Sequence, residues 1–571
     1  MGAWLVVIVK ALLTPITIDE ASTFIDFIRT KAFIPGFSIW EANNHLLNSA
    51  LSIVTVELFG NGVFAMRLPN VLAFGLLVTQ VCGFATNHIQ RLQSAVALGF
   101  VMFCSPLIID LFSLCRGYGL SFALLLWFIN AFVKAINNPQ KRHWMTLVVG
   151  CLMVLANLNL VSIYIAGFVV LSINSWRYKS RQLAVKMIGA LIILSATLYG
   201  MVLKESGFLY FGTDDFIDIS LGVTSELYTG LIGVWWLYIP MMLLASVFVF
   251  FKNQYGFELN TSKSLFILTL VSFSAPIAQH VLLDSPFQVE RTFAHSFIIL
   301  SMTFVYEADR VSKLSSWFAL FCSSLIVWGS FVSLKPNRSN LWQNEIIPEG
   351  VMAELESFKS SNGAPIIVSN FKALSSWEYL NIESNNSFIY IPFTQSSAAI
   401  TSADYLFLKK ESEVITTDYD TLIAQDEADY VLLKRAQQPN IIIDSSSIIT
   451  EFPDDGQEYF NVLSDSILNE FSKPKVLNLV FELTLEDNLK EVQLVISEST
   501  NSKSVRSVFD LHHYMETEQP NNSTPFHIRF PLSLKGQPLV SVYFWNVDRS
   551  SIQFKNCELR LETHQLRDNN L

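Results

Sequence analysis

An acidic pair, Asp19-Glu20, follows the first apolar run of the sequence, Ala3 to Ile16. A carboxylate at the edge of a membrane-spanning segment is placed to remove a proton from a reacting hydroxyl group, as a general base does. Two other roles fit the same residues. Both can be solvated loop charges, and Asp19 can be the N-cap of a helix from Glu20 to about Lys31.

Basic residues occur in the loops that we expect on the same side of the membrane as this pair: Arg67, Arg116, Lys204 and Arg291. In such an arrangement the cations can hold a lipid phosphate as leaving group. The carboxylate can at the same time deprotonate an attacking hydroxyl group. The last of these loops begins at His280, which joins Arg291, Arg116 and Lys204 as candidate phosphate-binding residues. Arg291 has one alternative role, which is to snorkel to lipid headgroups.

Polar residues that could bind the sugar or the acceptor form a second group. Asn43-Asn44-His45 precede a helical pattern, where backbone N–H groups and side-chain amides can meet a polar ligand. Arg67, at the end of the same loop, belongs to this candidate group as well. Simple N-capping of the helix remains the alternative for the three polar residues.

The elements that must position these residues are membrane helices. The 571 residues are 51% hydrophobic and 15% charged, with a mean hydropathy of +0.39, which excludes a soluble enzyme. About eleven apolar runs can cross the hydrocarbon layer. They lie at about 3–18, 69–88, 94–110, 117–136, 144–158, 160–176, 184–203, 231–251, 264–283, 291–307 and 315–333.

The distribution of Lys and Arg sets the orientation. With a cytoplasmic N-terminus, the inside loops hold twelve basic residues and the outside loops six. The acidic pair and the whole tail then lie outside the cytoplasmic membrane. The first segment has no basic region and no clear cleavage site, so we expect an uncleaved helix.

The first outer loop contains helices of its own. From Ala42 to Phe59 the apolar residues recur at helical spacing, opposite a polar face that includes Asn44, Asn48 and Ser52. This pattern is typical of a helix lying in the membrane interface. With the segment from Glu20 to Lys31, it would cover a cavity at the outer leaflet.

The tail differs in charge and pattern. From Lys335 onward it has 19 Lys and Arg against 33 Asp and Glu, and its single cysteine, Cys557, excludes an intrachain disulfide within it. A helix at Gly350–Phe358 and strands near 365–369, 405–408 and 430–433 predict a small α/β subdomain at 335–455. Strands at 476–485, 491–497, 526–531, 539–546 and 552–562 predict a β-sandwich of jelly-roll kind at 456–571.

Other chemistries have no support in the sequence. It contains no P-loop, dinucleotide fingerprint, zinc-protease helix or Cys-x-x-Cys motif, and no basic surface for nucleic acid. No cofactor is therefore predicted. Asp19, Glu20 and the loop acids could hold a divalent metal ion, but no ligand spacing demands one.

Four motifs together resemble the membrane glycosyltransferases of the GT-C class. They are Asp19-Glu20 after the first helix, Arg67-Leu68-Pro69 closing the loop, Arg116-Gly117-Tyr118-Gly119 opening a later helix, and Arg291 before an apolar helix. The set is most similar to the dolichyl-phosphate-mannose protein mannosyltransferases and the bacterial aminoarabinose transferases, over residues 1–334. The tail shows no MIR-type repeat, and Ser38–His45 departs from the Pro-rich pattern, so a bacterial member is preferred.

The resemblance implies a catalytic domain at 1–334 that transfers a sugar with inversion. The donor would be a polyprenyl-phosphate sugar, and the acceptor a hydroxyl group of a protein, lipid or glycan at the outer face of the cytoplasmic membrane. The base is carried over to Asp19, with Glu20 second, because adjacent helical residues point about 100° apart. The tail sandwich, with Tyr543-Phe544-Trp545-Asn546, resembles carbohydrate-binding modules, although these aromatic residues can also be core.

Two non-enzymatic classes compete with this interpretation. A transporter or flippase of lipid-linked saccharides would place ionisable residues near mid-bilayer and broken helices in repeated halves, whereas these helix interiors are nearly free of charge. A saccharide-binding membrane scaffold would leave Asp19, Arg116 and Arg291 unexplained.

Overall fold

A computed structural model describes residues 2–35, 38, 41, 43–138, 144–177, 183–205, 212–233, 260–342, 347, 349–357, 365–369, 374–383, 389–392, 403–409, 419–424, 430–436, 440–449, 458–467, 475–485, 492–499, 504–511, 524–532, 539–546 and 552–565. The chain forms two compact units. The first comprises Met1–Pro15 and Asp26–Gln343, and the second Ile16–Ile25 and Asn344–Leu571. The acidic pair thus belongs to the unit that contains the tail, although the sequence assigns it to the membrane domain.

The first unit is helical. Its helices are α1 (Gly2–Leu13), α3 (Leu46–Phe59), α4 (Val63–His88), α5 (Leu92–Phe103), α6 (Pro106–Ser113), α7 (Gly117–Asn137), α8 (Trp144–Ala156), α9 (Val161–Arg177), α10 (Leu183–Glu205), α11 (Thr224–Thr229), α12 (Thr261–Leu283), α13 (Ala294–Val311) and α14 (Lys313–Ser333). Short 3₁₀ turns span Leu158–Leu160 and Glu290–Thr292, and a π-helix spans Phe216–Val223.

Within the described residues, five helices are long and apolar enough to cross a membrane, and the number rises to seven if each of two bent pairs is one span. One bent pair is α5 and α6, which meet at 50° where Pro106 starts α6. A proline is tolerated at that first helical position because its missing N–H would have no partner in the helix. The chain is therefore a polytopic membrane protein.

All but one of the predicted apolar runs coincide with a helix of the structure. The run at 231–251 lies largely outside the described residues, so the total of eleven stays a prediction. The first helix ends at Leu13, earlier than predicted, ahead of Pro15. The most enclosed candidate span is α7, with 78% of its apolar window buried, and it carries Arg116 at its start.

The second unit begins with α2 (Ile18–Thr23) and continues into a π-helix at Phe24–Arg29, whose last residues return to the first unit. The α/β part contains α15 (Glu349–Ser357), α16 (Leu374–Glu383), β1 (Ile366–Ser369), β2 (Ile389–Pro392), β3 (Tyr405–Lys409), β4 (Tyr419–Ala424) and β5 (Tyr430–Arg435). The strand order in its sheet is β2-β1-β3-β5-β4. The pairs β1–β2 and β1–β3 are parallel, and β3–β5 and β4–β5 antiparallel.

The rest of the tail forms two four-stranded antiparallel sheets. Their strands are β6 (Asn440–Ile449), β7 (Tyr459–Ile467), β8 (Lys475–Leu485), β9 (Val492–Ser499), β10 (Ser504–Asp510), β11 (Thr524–Pro531), β12 (Leu539–Asn546) and β13 (Ile552–Gln565). The orders are β10-β9-β12-β7 and β11-β8-β13-β6. Phe544 of β12 packs against Phe481 of β8 with ring centroids 5.0 Å apart, so the two sheets share one core.

The predicted tail strands all coincide with observed ones, while β2, β4, β6, β7 and β10 were not predicted. Strand β6 pairs with β13 although it precedes residue 456, the predicted start of the sandwich. Its sequence, Asn-Ile-Ile-Ile-Asp-Ser-Ser-Ser-Ile-Ile, lacks the alternation on which strand prediction depends. The jelly-roll connectivity and the boundary at 455/456 stay predictions.

Candidate active site

The two carboxylates of the acidic pair have different surroundings. Thr17 is the N-cap of α2, and it forms a capping box with Glu20. The Thr17 backbone N–H donates to Glu20 Oε2 at 3.1 Å, and the Glu20 N–H donates to Thr17 Oγ1 at 3.4 Å. Glu20 is fully buried, whereas Asp19 is half-buried. The expectation of Asp19 as the N-cap is therefore wrong, because the Thr-x-x-Glu spacing starts the helix two residues earlier, with Thr17 as the N-cap.

Helix α16 of the tail holds the segment that carries this pair. Ser22 Oγ donates to Ser375 Oγ at 2.9 Å, and the Phe24 ring meets the Tyr379 ring edge-on with centroids 5.0 Å apart. Tyr379 is 1% exposed, so this contact lies in the interior of the second unit. Sequence reasoning did not find it, because nothing local connects residues 22 and 375.

The Arg67 guanidinium is hydrogen-bonded to backbone carbonyls at the end of α1. Its Nη1 donates to the carbonyl oxygens of Ala11 and Thr14 at 2.9 and 2.6 Å, and its Nη2 donates to that of Pro15 at 3.0 Å. The last carbonyls of a helix have no partner within it, and a cation there also compensates the helix dipole. The geometry gives Arg67 a structural role.

A buried ion pair lies at the same end of α1. Lys10 Nζ is 2.9 Å from Asp110 Oδ1, and both side chains are fully buried. Lys10 also donates to the carbonyls of Lys335 and Arg338, and Asp110 Oδ2 accepts from the Asn340 N–H at 2.6 Å. The expectation of nearly charge-free helix interiors is thus wrong here, because each charge is compensated by a partner far away in sequence.

A buried polar network joins α3, α4 and the start of α7. Asn70 donates to Asn48 Oδ1 at 2.7 Å and accepts from the Leu120 N–H at 2.8 Å. Asn48 donates to Cys115 Sγ at 3.6 Å. The polar face of α3 therefore points into the protein, while its apolar side chains Leu51, Val54, Leu58 and Phe59 are exposed. This orientation suits a helix that faces lipid.

His45 and Arg116, predicted for different parts of the site, lie close together. His45 Nδ1 is 2.9 Å from the Ala156 oxygen, and the His45 ring meets the Tyr118 ring at 4.8 Å. Arg116 Cζ lies 5.9 Å from the same Tyr118 ring. A Cβ on Gly117 would lie 2.3 Å from the Ala156 oxygen and 2.6 Å from His45 Cβ, so only glycine fits between them.

The other two polar residues of this group sit beside His45. Asn44 donates to the Phe33 oxygen at 2.8 Å and accepts from Ser49 Oγ at 3.1 Å. Asn43 lies half-buried in the turn before them. The N-cap of α3 is His45, which makes no side-chain capping bond.

Lys204 and His280 meet at the loop that follows α12. Lys204 Nζ donates to the Leu283 oxygen, and His280 Nδ1 is 2.9 Å from the Ser285 oxygen. The His280 ring stacks on Phe287 at 3.9 Å. Phe287 forms a pair of backbone hydrogen bonds with Thr213, which joins this loop to the segment after α10.

Arg291 lies in the turn before α13, as predicted, and packs on a residue that the sequence did not indicate. Its Cζ is 4.9 Å from the centroid of the Trp342 ring, and Trp342 is 3% exposed. Its Nη1 is 3.4 Å from Glu290 Oε2. Its side chain is 11% exposed, compared with 2% for Arg116 and 0% for Arg67.

The described residues form three candidate groups in the first unit: His45 with Arg116, Lys204 with His280, and Arg291 with Trp342. Within the same residues, no three His, Cys, Asp or Glu side chains come together as a metal ion would require. These cationic groups belong to the first unit, and the acidic pair belongs to the second.

No protein-family model and no curated protein matches this sequence. Among solved structures, the chain is similar to ArnT from Cupriavidus metallidurans in the apo state, with 12% identity and a TM-score of 0.37, over 76% of this chain and 96% of that chain. ArnT from the same organism bound to undecaprenyl phosphate gives 12% identity and a TM-score of 0.36 over the same shares. Arabinofuranosyltransferase AftD from Mycobacteria gives 10% identity and a TM-score of 0.37, over 100% of this chain and 59% of that chain.

These structures are GT-C glycosyltransferases, the class named by the sequence resemblance. TM-scores below 0.5 do not establish a shared fold, so a function for this chain has to come from its own residues.

Proposed function

We propose that this protein is a polyprenyl-phosphate-dependent glycosyltransferase, and that Asp19 is its general base. The observation that carries the proposal is the difference between the two carboxylates: Glu20 is fully buried in a capping box, whereas Asp19, one residue earlier, is half-buried. A base must reach the acceptor hydroxyl group within hydrogen-bond distance. Asp19 is the carboxylate of the pair that does not take part in the capping box, in agreement with the role that the resemblance assigns to it.

The proposed reaction is an inverting displacement. Asp19 takes the proton of the acceptor hydroxyl group as its oxygen attacks the anomeric carbon, and the bond to the polyprenyl phosphate breaks, leaving a phosphate with an additional negative charge. Arg291, Arg116, Lys204 and His280 are the candidates to stabilise that charge. Asn43, Asn44 and His45 remain candidates for the sugar or acceptor, while we reassign Arg67 to holding the end of α1.

The test uses the full-length protein in lipid nanodiscs with undecaprenyl-phosphate-linked sugars as donors. Asp19→Asn keeps the size of the side chain and removes the base, so we expect sugar transfer to fall by about 10²-fold or more. Its thermal unfolding midpoint should stay near wild type. Glu20→Gln is the matched control, because glutamine at this position also completes the capping box, so stability and transfer should both stay near wild type. Retained transfer in Asp19→Asn would contradict this assignment.

The buried ion pair Lys10–Asp110 bears on the alternative of a transporter or flippase. Both charges are bonded to each other and to fixed backbone groups, so they support a structural role and not a transport path. An assay that separates the two functions is flipping of a fluorescent polyprenyl-phosphate lipid in proteoliposomes. Flipping that survives Asp19→Asn and needs no acceptor would favour the transporter.

The proposed orientation places the acidic pair and the tail outside the cytoplasmic membrane, following the Lys and Arg distribution. Ser504 is exposed at the start of β10 and suits a labelling test. In cells with an opened outer barrier, Ser504→Cys should react with an impermeant thiol reagent before lysis. Labelling only after lysis would contradict this orientation.

We also propose that the tail sandwich binds saccharide. Along β12, Phe544 points into the core, whereas Tyr543 and Trp545 point outward beside Tyr459, whose ring is 5.9 Å from Trp545 and nearly parallel to it. Arg506 lies within 6 Å of Tyr543 and Trp545. Such a ring surface fits the apolar face of a pyranose. Trp545→Ala should reduce retention of the full chain in affinity electrophoresis on polysaccharide gels, and unchanged retention would contradict the proposal.

A further inference from the structure

The Arg291 guanidinium lies over an indole ring. Trp342 is 3% exposed, and its ring centroid is 4.9 Å from Arg291 Cζ. We propose that Trp342 is a positioning residue for the donor phosphate, which holds Arg291 in the orientation that binds it. The proposal rests on the proposed function, in which Arg291 binds the phosphate.

The geometry of the two groups supports this role. A guanidinium is attracted to the face of an aromatic ring, and all of its N–H donors lie in its own plane. A contact with a ring face uses none of these donors, so it is compatible with phosphate oxygens binding to the same guanidinium. The contact from Arg291 to Glu290 is 3.4 Å long and both side chains are partly exposed, so it is the weaker constraint.

The position of Trp342 is itself fixed by the segment that leads to it. Residues 334–342 follow α14, and Lys10 binds the carbonyls of Lys335 and Arg338 in this segment. Asp110 accepts from the Asn340 N–H at 2.6 Å and from Ser339 Oγ at 3.3 Å. A ring on an anchored backbone loses little further freedom when it orients another side chain, which is what pre-organisation requires.

This arrangement gives the buried Lys10–Asp110 pair a function. The pair joins α1 and α6 to the segment that ends at Trp342. It therefore fixes the Trp342 ring, which lies under Arg291, relative to these two helices. Removing one partner would leave a buried charge uncompensated and destabilise the protein strongly. The ring itself is therefore the better position to test.

The experiment measures the Kd of undecaprenyl phosphate for the full-length protein in nanodiscs. Trp342→Leu removes the aromatic face, and we expect Kd to rise roughly ten-fold. Trp342→Phe keeps a face and should raise Kd by at most a few-fold. Trp328→Leu is the matched control, because Trp328 is 63% exposed on α14, and it should leave Kd unchanged.

The double-mutant cycle with Arg291→Ala identifies the mechanism. If Trp342 acts through Arg291, Trp342→Leu should have no further effect on Kd in the Arg291→Ala background. A full effect in that background, or wild-type Kd in both Trp342 variants, would overturn the inference. If Trp342→Leu does not fold, Trp342→Met, which also lacks the ring but keeps more of its volume, replaces it in the same cycle, and an additive result overturns the inference. Wild-type Kd in Arg291→Ala alone would instead refute the proposed phosphate site.

Discussion

Arg67 in α4 and Arg291 in the turn before α13 were both predicted for the site, but their guanidinium groups have different partners. Arg67 is fully buried and donates three hydrogen bonds to backbone carbonyls. Arg291 is partly exposed, and its Cζ lies 4.9 Å from the centroid of the Trp342 ring. Hydrogen bonds to the carbonyls of a helix end use the N–H donors that a phosphate would need, whereas a contact with a ring face uses none of them. A position at the predicted edge of an outer loop therefore does not suffice to identify a phosphate ligand.

The largest effect that this comparison predicts is for Arg291→Ala. The charge on the leaving phosphate grows as the bond to the sugar breaks, so a cation there should stabilise the transition state more than the ground state. We expect kcat to fall by about 10²-fold, together with weaker donor binding. Arg291→Lys keeps the charge but loses the planar fork, and it should be intermediate.

Steady-state kinetics with varied donor concentration separates the two effects. A variant that raises KM at unchanged kcat would show that Arg291 contributes only uniform binding. Wild-type kcat and KM in Arg291→Ala would leave the residue as a headgroup anchor.

The second prediction concerns stability. Arg67→Ala leaves three carbonyls at the end of α1 without their charged donor, and each hydrogen bond to a charged group is worth about 1.5–3 kcal/mol. We expect a loss of about 3 kcal/mol or more and a clearly lower thermal unfolding midpoint in nanodiscs. The specific activity of the folded fraction should fall less than in Arg291→Ala. A wild-type midpoint with loss of activity would restore Arg67 to the binding site.

The sequence predicts elements better than it predicts partners. Hydropathy locates the helices and alternation locates most tail strands, because both patterns are local. Arg291 before α13 and the two glycines of Arg116-Gly117-Tyr118-Gly119 were also found this way, and Gly117 does admit the close approach of His45. In contrast, Lys10 and Asp110 are one hundred residues apart, and no local pattern connects them.

The same limit explains why two contacts of the site were missed. Trp342 lies in a segment that the sequence assigns to the tail subdomain, and its role depends on Arg291 and on the hydrogen bond from Asn340 to Asp110. The packing of Phe24 on Tyr379 connects the acidic pair to a tail helix that the sequence did not predict. Both contacts join residues that are distant in the chain, and both position residues that we assign to the chemistry.

The smallest predicted effect is for Lys204, whose role we compare with that of Arg291. Lys204 is exposed, and its ammonium group already donates to the Leu283 oxygen at the end of α12. An exposed charge is screened by water and salt, so its attraction for a phosphate should be worth at most about 1 kcal/mol. Lys204→Ala should raise the donor KM by a few-fold and leave kcat near wild type. Because Lys204→Gln retains a hydrogen-bond donor, it separates loss of charge from loss of the contact to Leu283. An effect on kcat as large as that of Arg291→Ala, diminishing in high salt, would mean that Lys204 binds the leaving phosphate directly.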